Sequence, residues 1–217
     1  MKKKICVIGA SGLVGSQVVK ESLRRDYFVN GTVTKKINDF QYKDLFSLYK
    51  SENLKLFKAN MDQIDTLNDP ISNCDAVFIT CLIPIYKTSD GIPANKLSIE
   101  DGYKNIILPT VKGCLNILKK SKDLNIKNII ICSSTSSVNP VKKVLIKNEL
   151  EHWSDEIEQC NQKKFTSAAK TYMEKAALEF CKINGIRLSI ILPTGLYGSF
   201  ILKKHSEHNP FKWIKQA

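Results

Sequence analysis

The stretch that most constrains this chain is residues 5–15, Ile5-Cys6-Val7-Ile8-Gly9-Ala10-Ser11-Gly12-Leu13-Val14-Gly15. A short apolar, β-branched run breaks into three glycines spaced G-x-x-G-x-x-G and then enters a polar, helix-compatible segment. An apolar run of this kind suits a parallel strand buried on both faces. Gly9 permits a sharp turn, Gly12 lets a pyrophosphate approach the backbone, and Gly15 lets the following helix pack close to the strand. The helix N-terminus then faces the phosphates. Three glycines alone are a weak signal, but their place between a strand and a helix makes a dinucleotide site the stronger reading. A glycine-rich turn without a ligand is the alternative.

The chain has 217 residues, 43% hydrophobic and 25% charged, which suits a single globular α/β domain. No apolar run approaches a membrane span. Lys2-Lys3-Lys4 precedes only a short apolar run that flows into the glycine turn, so it does not read as a signal peptide, and a cytoplasmic protein is expected. Seven cysteines, an odd number with no C-x-x-C pair, lie mostly in apolar runs and read as buried reduced thiols rather than a disulfide framework or a zinc site. With His152, His205 and His208 as the sole histidines, no metal site is expected. The net charge of +12 suits an anionic ligand. The lysines are scattered, however, and no aromatic-interleaved basic stripe accompanies them, which disfavours nucleic acid.

Strand patterns recur at residues 28–33, 54–57, 76–81, 128–132 and 187–192. Helical patterns fall at about 14–25, 42–50, 62–71, 106–125 and 169–180, with Pro109 expected to kink its helix or mark its first turn. Residues 139–164 read as a polar excursion over the carboxyl edge of the sheet, where ligands bind. Strands alternating with helices at this spacing predict a doubly wound parallel α/β sheet. After the second strand an acidic side chain would hold the ribose hydroxyls of NAD, whereas cations would hold the 2′-phosphate of NADP. Here Thr34-Lys35-Lys36 follows, and Asp39 comes only later, which favours NADP(H) over NAD. Two solvated surface lysines are the plainer alternative.

Several motifs occur in a telling order: Gly9-Ala10-Ser11-Gly12-Leu13-Val14-Gly15-Ser16, Gly31-Thr32-Val33, Lys58-Ala59-Asn60-Met61 and Ser133-Ser134. Trp153-Ser154-Asp155, Lys170-Thr171-x-x-Glu174-Lys175-Ala176-Ala177 and Pro193-Thr194-x-x-x-Gly198 complete the set. Over roughly residues 4–200 the chain resembles the extended short-chain dehydrogenase/reductases of the NAD-dependent epimerase/dehydratase superfamily, in particular the dihydroflavonol 4-reductase and cinnamoyl-CoA reductase group. The resemblance implies a Rossmann fold with strand order 3-2-1-4-5-6, a coenzyme-binding domain over residues 1–200 and a short tail at 201–217. It also implies coenzyme contacts from Gly9, Ser11, Gly12, Leu13, Val14, Gly15, Lys35, Lys36, Asn60, Met61, Cys81, Lys170 and Pro193.

In that family a Ser-Tyr-Lys trio reduces a carbonyl with NADPH. The serine orients the carbonyl, the tyrosine gives it a proton, and the lysine holds the nicotinamide ribose and lowers the tyrosine pKa. The resemblance assigns Ser134 and Lys170 to the first and last roles. The tyrosine position, four residues before the lysine, holds Thr166. A threonine hydroxyl is shorter and far less acidic, so the implied NADP-dependent oxidoreductase, acting on a small-molecule carbonyl or secondary alcohol, is expected to be slow. A noncatalytic NADP-binding protein used for sensing or partner binding is the alternative. Thr34 replaces an arginine of the family and Asn60 an aspartate, and the residues Cys81-Leu82-Ile83-Pro84 after the fourth strand also diverge. Family members continue beyond the sixth strand into a region that builds most of the substrate pocket. This sequence is therefore expected to hold the coenzyme half and little of the substrate half, with a homodimer or another partner as ways of completing it.

Overall fold

A computed structural model describes residues 2–81 and 86–206. The divergent residues 82–84 and His208 lie outside them. Six parallel strands form one sheet: β1 (Lys4–Ile8), β2 (Phe28–Val33), β3 (Leu54–Lys58), β4 (Ala76–Ile79), β5 (Asn128–Cys132) and β6 (Arg187–Ile191), in the order β3-β2-β1-β4-β5-β6. This is the expected doubly wound arrangement. The reversal of strand order lies between β1 and β4, where a crevice opens beyond the strand ends.

Seven α-helical segments connect the strands: α1 (Leu13–Arg24), α2 (Lys43–Phe46), α3 (Asn68–Ile71), α4 (Ile99–Gly102), α5 (Leu108–Asp123), α6 (Glu156–Asn161) and α7 (Phe165–Ile183). Alternation along β1 explains the layers. Cys6 and Ile8 face one core with Ile117 and Leu118 of α5 and Met173 and Ala177 of α7. Ile5 and Val7 face the other with Val19 and Leu23 of α1. Both sets are buried, as a strand covered on two sides requires.

Three expected helices differ from the structure. The segment 42–50 resolves into a 3₁₀ turn at Phe40–Tyr42 and the single turn α2, because only Tyr42 and Leu45 find buried places and Lys50 turns left-handed at φ 57°. The segment 62–71 becomes a 3₁₀ turn at Ile64–Leu67 running into α3. The third starts at α5, and Pro109 marks its first turn, one of the two outcomes expected. It is the second residue of α5, and the preceding turn, Tyr103–Ile107, is π-helical, a change of register next to a residue without an N–H. The excursion at 139–164 is irregular apart from α6.

Beyond β6 the chain returns to the front of the sheet. Gln17 Nε2 donates to the Ser199 carbonyl at 2.5 Å, and Leu202 is fully buried in the core beneath α1. His205 Nε2 stands 3.0 Å from the Ser11 carbonyl oxygen.

Candidate active site

The glycine turn is held by the two strands that flank β1. Gly9, at φ +85°, donates its N–H to Thr32 Oγ1 at 3.0 Å, and the Ala10 N–H donates to the Thr32 carbonyl at 3.0 Å. Thr80 Oγ1, after β4, donates to the Ile8 carbonyl at 2.8 Å. Gly12 donates to the Gly9 carbonyl at 2.9 Å and caps α1 in an extended conformation, with no side chain bonded to the helix end and no acidic residue in its first turn. The first N–H groups of a helix have no carbonyl partner within it, and they carry its partial positive charge. A side chain added at Gly12 would meet only the Gly9 oxygen, at 3.2 Å, and would otherwise fill open space. The turn therefore offers donors, positive potential and room, the three things a pyrophosphate needs. On this ground the residues fit a dinucleotide.

A cavity of about 440 Å³ opens from this turn. Gly9, Ser11, Gly12, Asn60, Met61 and Cys81 all line it, and Thr32 and Thr34 supply the wall from β2. Asn60 is held by its own loop: its Oδ1 accepts the Asp62 N–H at 3.1 Å. Leu13 and Val14 instead face a larger, mainly apolar cavity of about 600 Å³ on the other side of α1, beside Phe78, Tyr197 and Phe200. Gly15 packs behind the turn against the Gly9 carbonyl and Thr80. Lys35 and Lys36 are exposed after β2 and do not line the smaller cavity; Lys204, from the returning segment, does.

The other expected residues gather at the carboxyl ends of β5 and β6. Ser134 follows β5 with an extended backbone, and its Oγ accepts the Ser136 N–H at 3.2 Å. The Thr135 N–H donates to the Pro193 carbonyl at 3.2 Å, which ties the Ser134 loop to the Pro193 loop. Lys170 lies half-buried on α7. Burial pushes its ammonium below the usual lysine range, while Cys132, Glu174, Cys81 and Cys114 pull the other way. Lys170 thus shares surroundings with Cys81, which lines the cavity. Thr166, half-buried, is one helical turn before it. Tyr172 lies apart from these residues: it makes an edge-on contact with Tyr103, ring centroids 6.0 Å apart, and belongs to a different cluster from the neighbours of Lys170.

Beneath Ser134, Ser133 donates its hydroxyl to the buried carboxyl of Glu174. Burial raises the Glu174 pKa, opposed by hydrogen bonds from Ser133 and Ser137 and by the charge of Lys170. A carboxyl whose folded-state pKa lies above its unfolded value binds more protons when folded. Stability therefore falls as pH rises from the ordinary glutamate value through the raised one. Glu174→Gln keeps an acceptor for Ser133 and removes the titration. Melting temperatures measured from pH 4 to 8 are expected to decline less steeply for this variant than for the native protein, and parallel curves would refute this role of the carboxyl.

Thr80 and Lys204 carry no motif that marks them as partners of the turn, and Thr32, though inside the Gly31-Thr32-Val33 motif, carries no expected role there. Thr32 and Thr80 occupy strand ends, and Lys204 reaches the cavity only because the chain returns there. No metal-binding cluster of His, Cys, Asp or Glu occurs among the described residues.

Residues 5–217 match the model of the NAD dependent epimerase/dehydratase family. Dihydroflavonol 4-reductase of Gerbera hybrida is 34% identical over 203 residues, covering 91% of this chain and 52% of the relative. Anthocyanidin reductase of Arabidopsis thaliana is 32% identical over 206 residues, covering 92% of this chain and 57% of the relative. The chain thus spans about half the length of these relatives. Among solved structures, vestitone reductase from alfalfa superposes with a TM-score of 0.74 at 30% identity, over 93% of this chain and 60% of that one. Yeast methylglyoxal/isovaleraldehyde reductase Gre2, solved with NADPH, shares the fold with a TM-score of 0.73 at 20% identity, over 93% of this chain and 60% of that one.

Proposed function

This chain belongs to the NAD dependent epimerase/dehydratase family, and from that membership we propose that it is an NADP(H)-binding, dihydroflavonol-reductase-like oxidoreductase that acts slowly on a carbonyl or secondary alcohol. The observation that carries the reading is the glycine turn: an uncapped helix N-terminus, open space at Gly12 and a cavity of about 440 Å³ meet at one point. The pyrophosphate would lie on the N–H groups of Leu13, Val14 and Gly15. Asn60 and Met61 would border the adenine, and Lys35 and Lys36 would favour the 2′-phosphate.

When bound, NADPH would supply the hydride equivalent for carbonyl reduction. The chain's own part is to position and to handle the proton. Ser134, held by its turn, would orient the carbonyl oxygen; Lys170 would hold the nicotinamide ribose, and Pro193 would border the ring. Proton delivery would then fall to water, because Thr166 is a poor acid.

Thr166 is also the observation that favours a second reading, a noncatalytic protein that binds NADP(H) for sensing or for a partner. No helix among the described residues is long and apolar enough to cross a membrane. The cytoplasm is the compartment we propose, since all seven cysteines are free.

Fluorescence titration tests the coenzyme reading, and NADPH is expected to bind at least about tenfold more tightly than NADH, the worth of one charge-assisted contact. Failure to bind either dinucleotide would overturn both readings. NADPH consumption with a panel of aldehydes and ketones separates them: a slow, protein-dependent rate supports the enzyme, whereas intact binding with no turnover supports the noncatalytic protein.

A further inference from the structure

We propose that Lys204 is a coenzyme-specificity residue, reaching from the segment after β6 to contact, together with Lys35, the 2′-phosphate of NADP(H). The inference rests on the coenzyme reading above and adds to it a residue that lies some 170 positions from the β2 end where that choice is usually made.

Among the described residues Lys204 is the one basic side chain that lines the cavity opening from the glycine turn, and it shares that lining with Thr34 after β2. Its place is secured on both sides. Leu202, two residues before, is fully buried in the core with Val7, Val33 and Tyr42, and His205, the next residue, meets the Ser11 carbonyl oxygen at 3.0 Å. The backbone at Lys204 is thus anchored between the β-sheet core and the glycine turn, and its half-buried side chain lines the cavity.

Tyr42 joins the two lysines. The Lys204 ammonium lies 5.9 Å from the centre of its ring, and the Lys35 N–H donates to its hydroxyl at 3.4 Å. Burial first, and then the nearby charge of Lys35, push the Lys204 ammonium below the usual lysine range, an effect Asp39 opposes. Asp39 is the acid that could have served the ribose hydroxyls of NAD. It is engaged elsewhere: its Oδ1 accepts the Gln41 N–H at 3.0 Å and caps the 3₁₀ turn at Phe40–Tyr42. Asp39 does not line the cavity; the acid that does, Asp62, comes from the loop after β3 and is not among the charges that act on Lys204. Two cations facing one engaged carboxylate leave a local excess of positive charge beside Thr34. A phosphate monoester, close to doubly charged at neutral pH, neutralises such a pair. A ribose hydroxyl does not.

The test compares the native protein with Lys204→Gln and Lys204→Arg, using NADPH, NADH, 2′,5′-ADP and 5′-AMP as ligands and melting temperature as a check on folding. Lys204→Gln is expected to weaken NADPH and 2′,5′-ADP by roughly tenfold while leaving NADH and 5′-AMP within about twofold, and Lys204→Arg is expected to restore most of the difference. Raising the salt concentration should narrow the gap between native protein and Lys204→Gln. Native protein that prefers NADPH, with a preference unmoved in Lys204→Gln, overturns the role of Lys204 and leaves the coenzyme reading intact. Equal weakening of all four ligands also overturns it, since that marks a purely structural segment. Native protein that binds none of the four overturns both.

Discussion

Gly15→Ala is expected to leave a destabilised protein that holds NADPH roughly tenfold more weakly. A Cβ at this position would run into the Gly9 carbonyl oxygen and come within 2.7 Å of Thr80 Oγ1. Neither atom is free to move. The Gly9 oxygen accepts the Gly12 N–H at 2.9 Å, and Thr80 Oγ1 is bonded to the Ile8 carbonyl at 2.8 Å. The helix must therefore back away from the strand, and the first-turn N–H groups move with it. Overpacking of this kind costs about 1–3 kcal/mol, and losing one charge-assisted contact to the pyrophosphate weakens binding roughly tenfold. Gly9→Ala should act in the same direction for a different reason, since Gly9 combines φ +85° with a Cys81 Cβ only 2.5 Å from its missing side chain. Gly185→Ala is the control. It follows α7 at φ +62° with nothing within 4 Å, so it should lose about 1–2 kcal/mol from backbone strain and bind NADPH normally. Denaturant midpoints and NADPH titrations on the three variants check the set. Native-like NADPH affinity in Gly15→Ala would remove the glycine turn from the binding site.

The contrast between these glycines and the rest of the site shows what a sequence can disclose. The turn was legible because its parts are neighbours in the chain: Gly9, Ser11 and Gly12 are specified by spacing, and all three line the cavity. β2 and β5 have the expected bounds, residues 28–33 and 128–132, and each is paired on both sides. Segments whose form depends on burial alone were not legible. Residues 42–50 carry a helical pattern, yet tertiary packing uses only Tyr42 and Leu45 and leaves Tyr49 exposed. The π-helical turn at Tyr103–Ile107 is a matter of backbone register, which no residue type announces except the proline that follows. The contacts that bring residues together from distant strands were not legible either, even where, as with Thr32 in Gly31-Thr32-Val33, the residue sits in a motif. Thr32 and Thr80 lock the turn from β2 and β4, and Lys204 enters the cavity because Leu202, a lone apolar residue in a polar stretch, finds the core.

Thr166→Tyr is expected to raise the rate of NADPH-dependent carbonyl reduction by about 10²–10⁴-fold, the usual worth of a positioned general acid. Position 166 is half-buried, one turn before Lys170 on α7, so a side chain there shares the helix face of the lysine. A phenol titrates near about 10 in water, and a neighbouring ammonium lowers that value by favouring the phenolate. Lys170 supplies the ammonium and is itself held below its ordinary range by burial, with only partial relief from Glu174. A tyrosine at 166 would therefore donate a proton near neutral pH, which threonine does not. Three measurements make the argument specific. Coenzyme affinity should stay within about twofold of the native protein, since a change in acid strength leaves ground-state binding alone. The rate of the variant should fall at high pH as the phenol ionises, a limb the native profile lacks. Thr166→Phe, which adds the ring without the hydroxyl, should gain nothing, and Lys170→Ala placed on Thr166→Tyr should cancel the gain. If Thr166→Tyr binds NADPH normally and stays as slow as the native protein, proton donation at 166 is not what limits this chain, and the noncatalytic reading stands in its place.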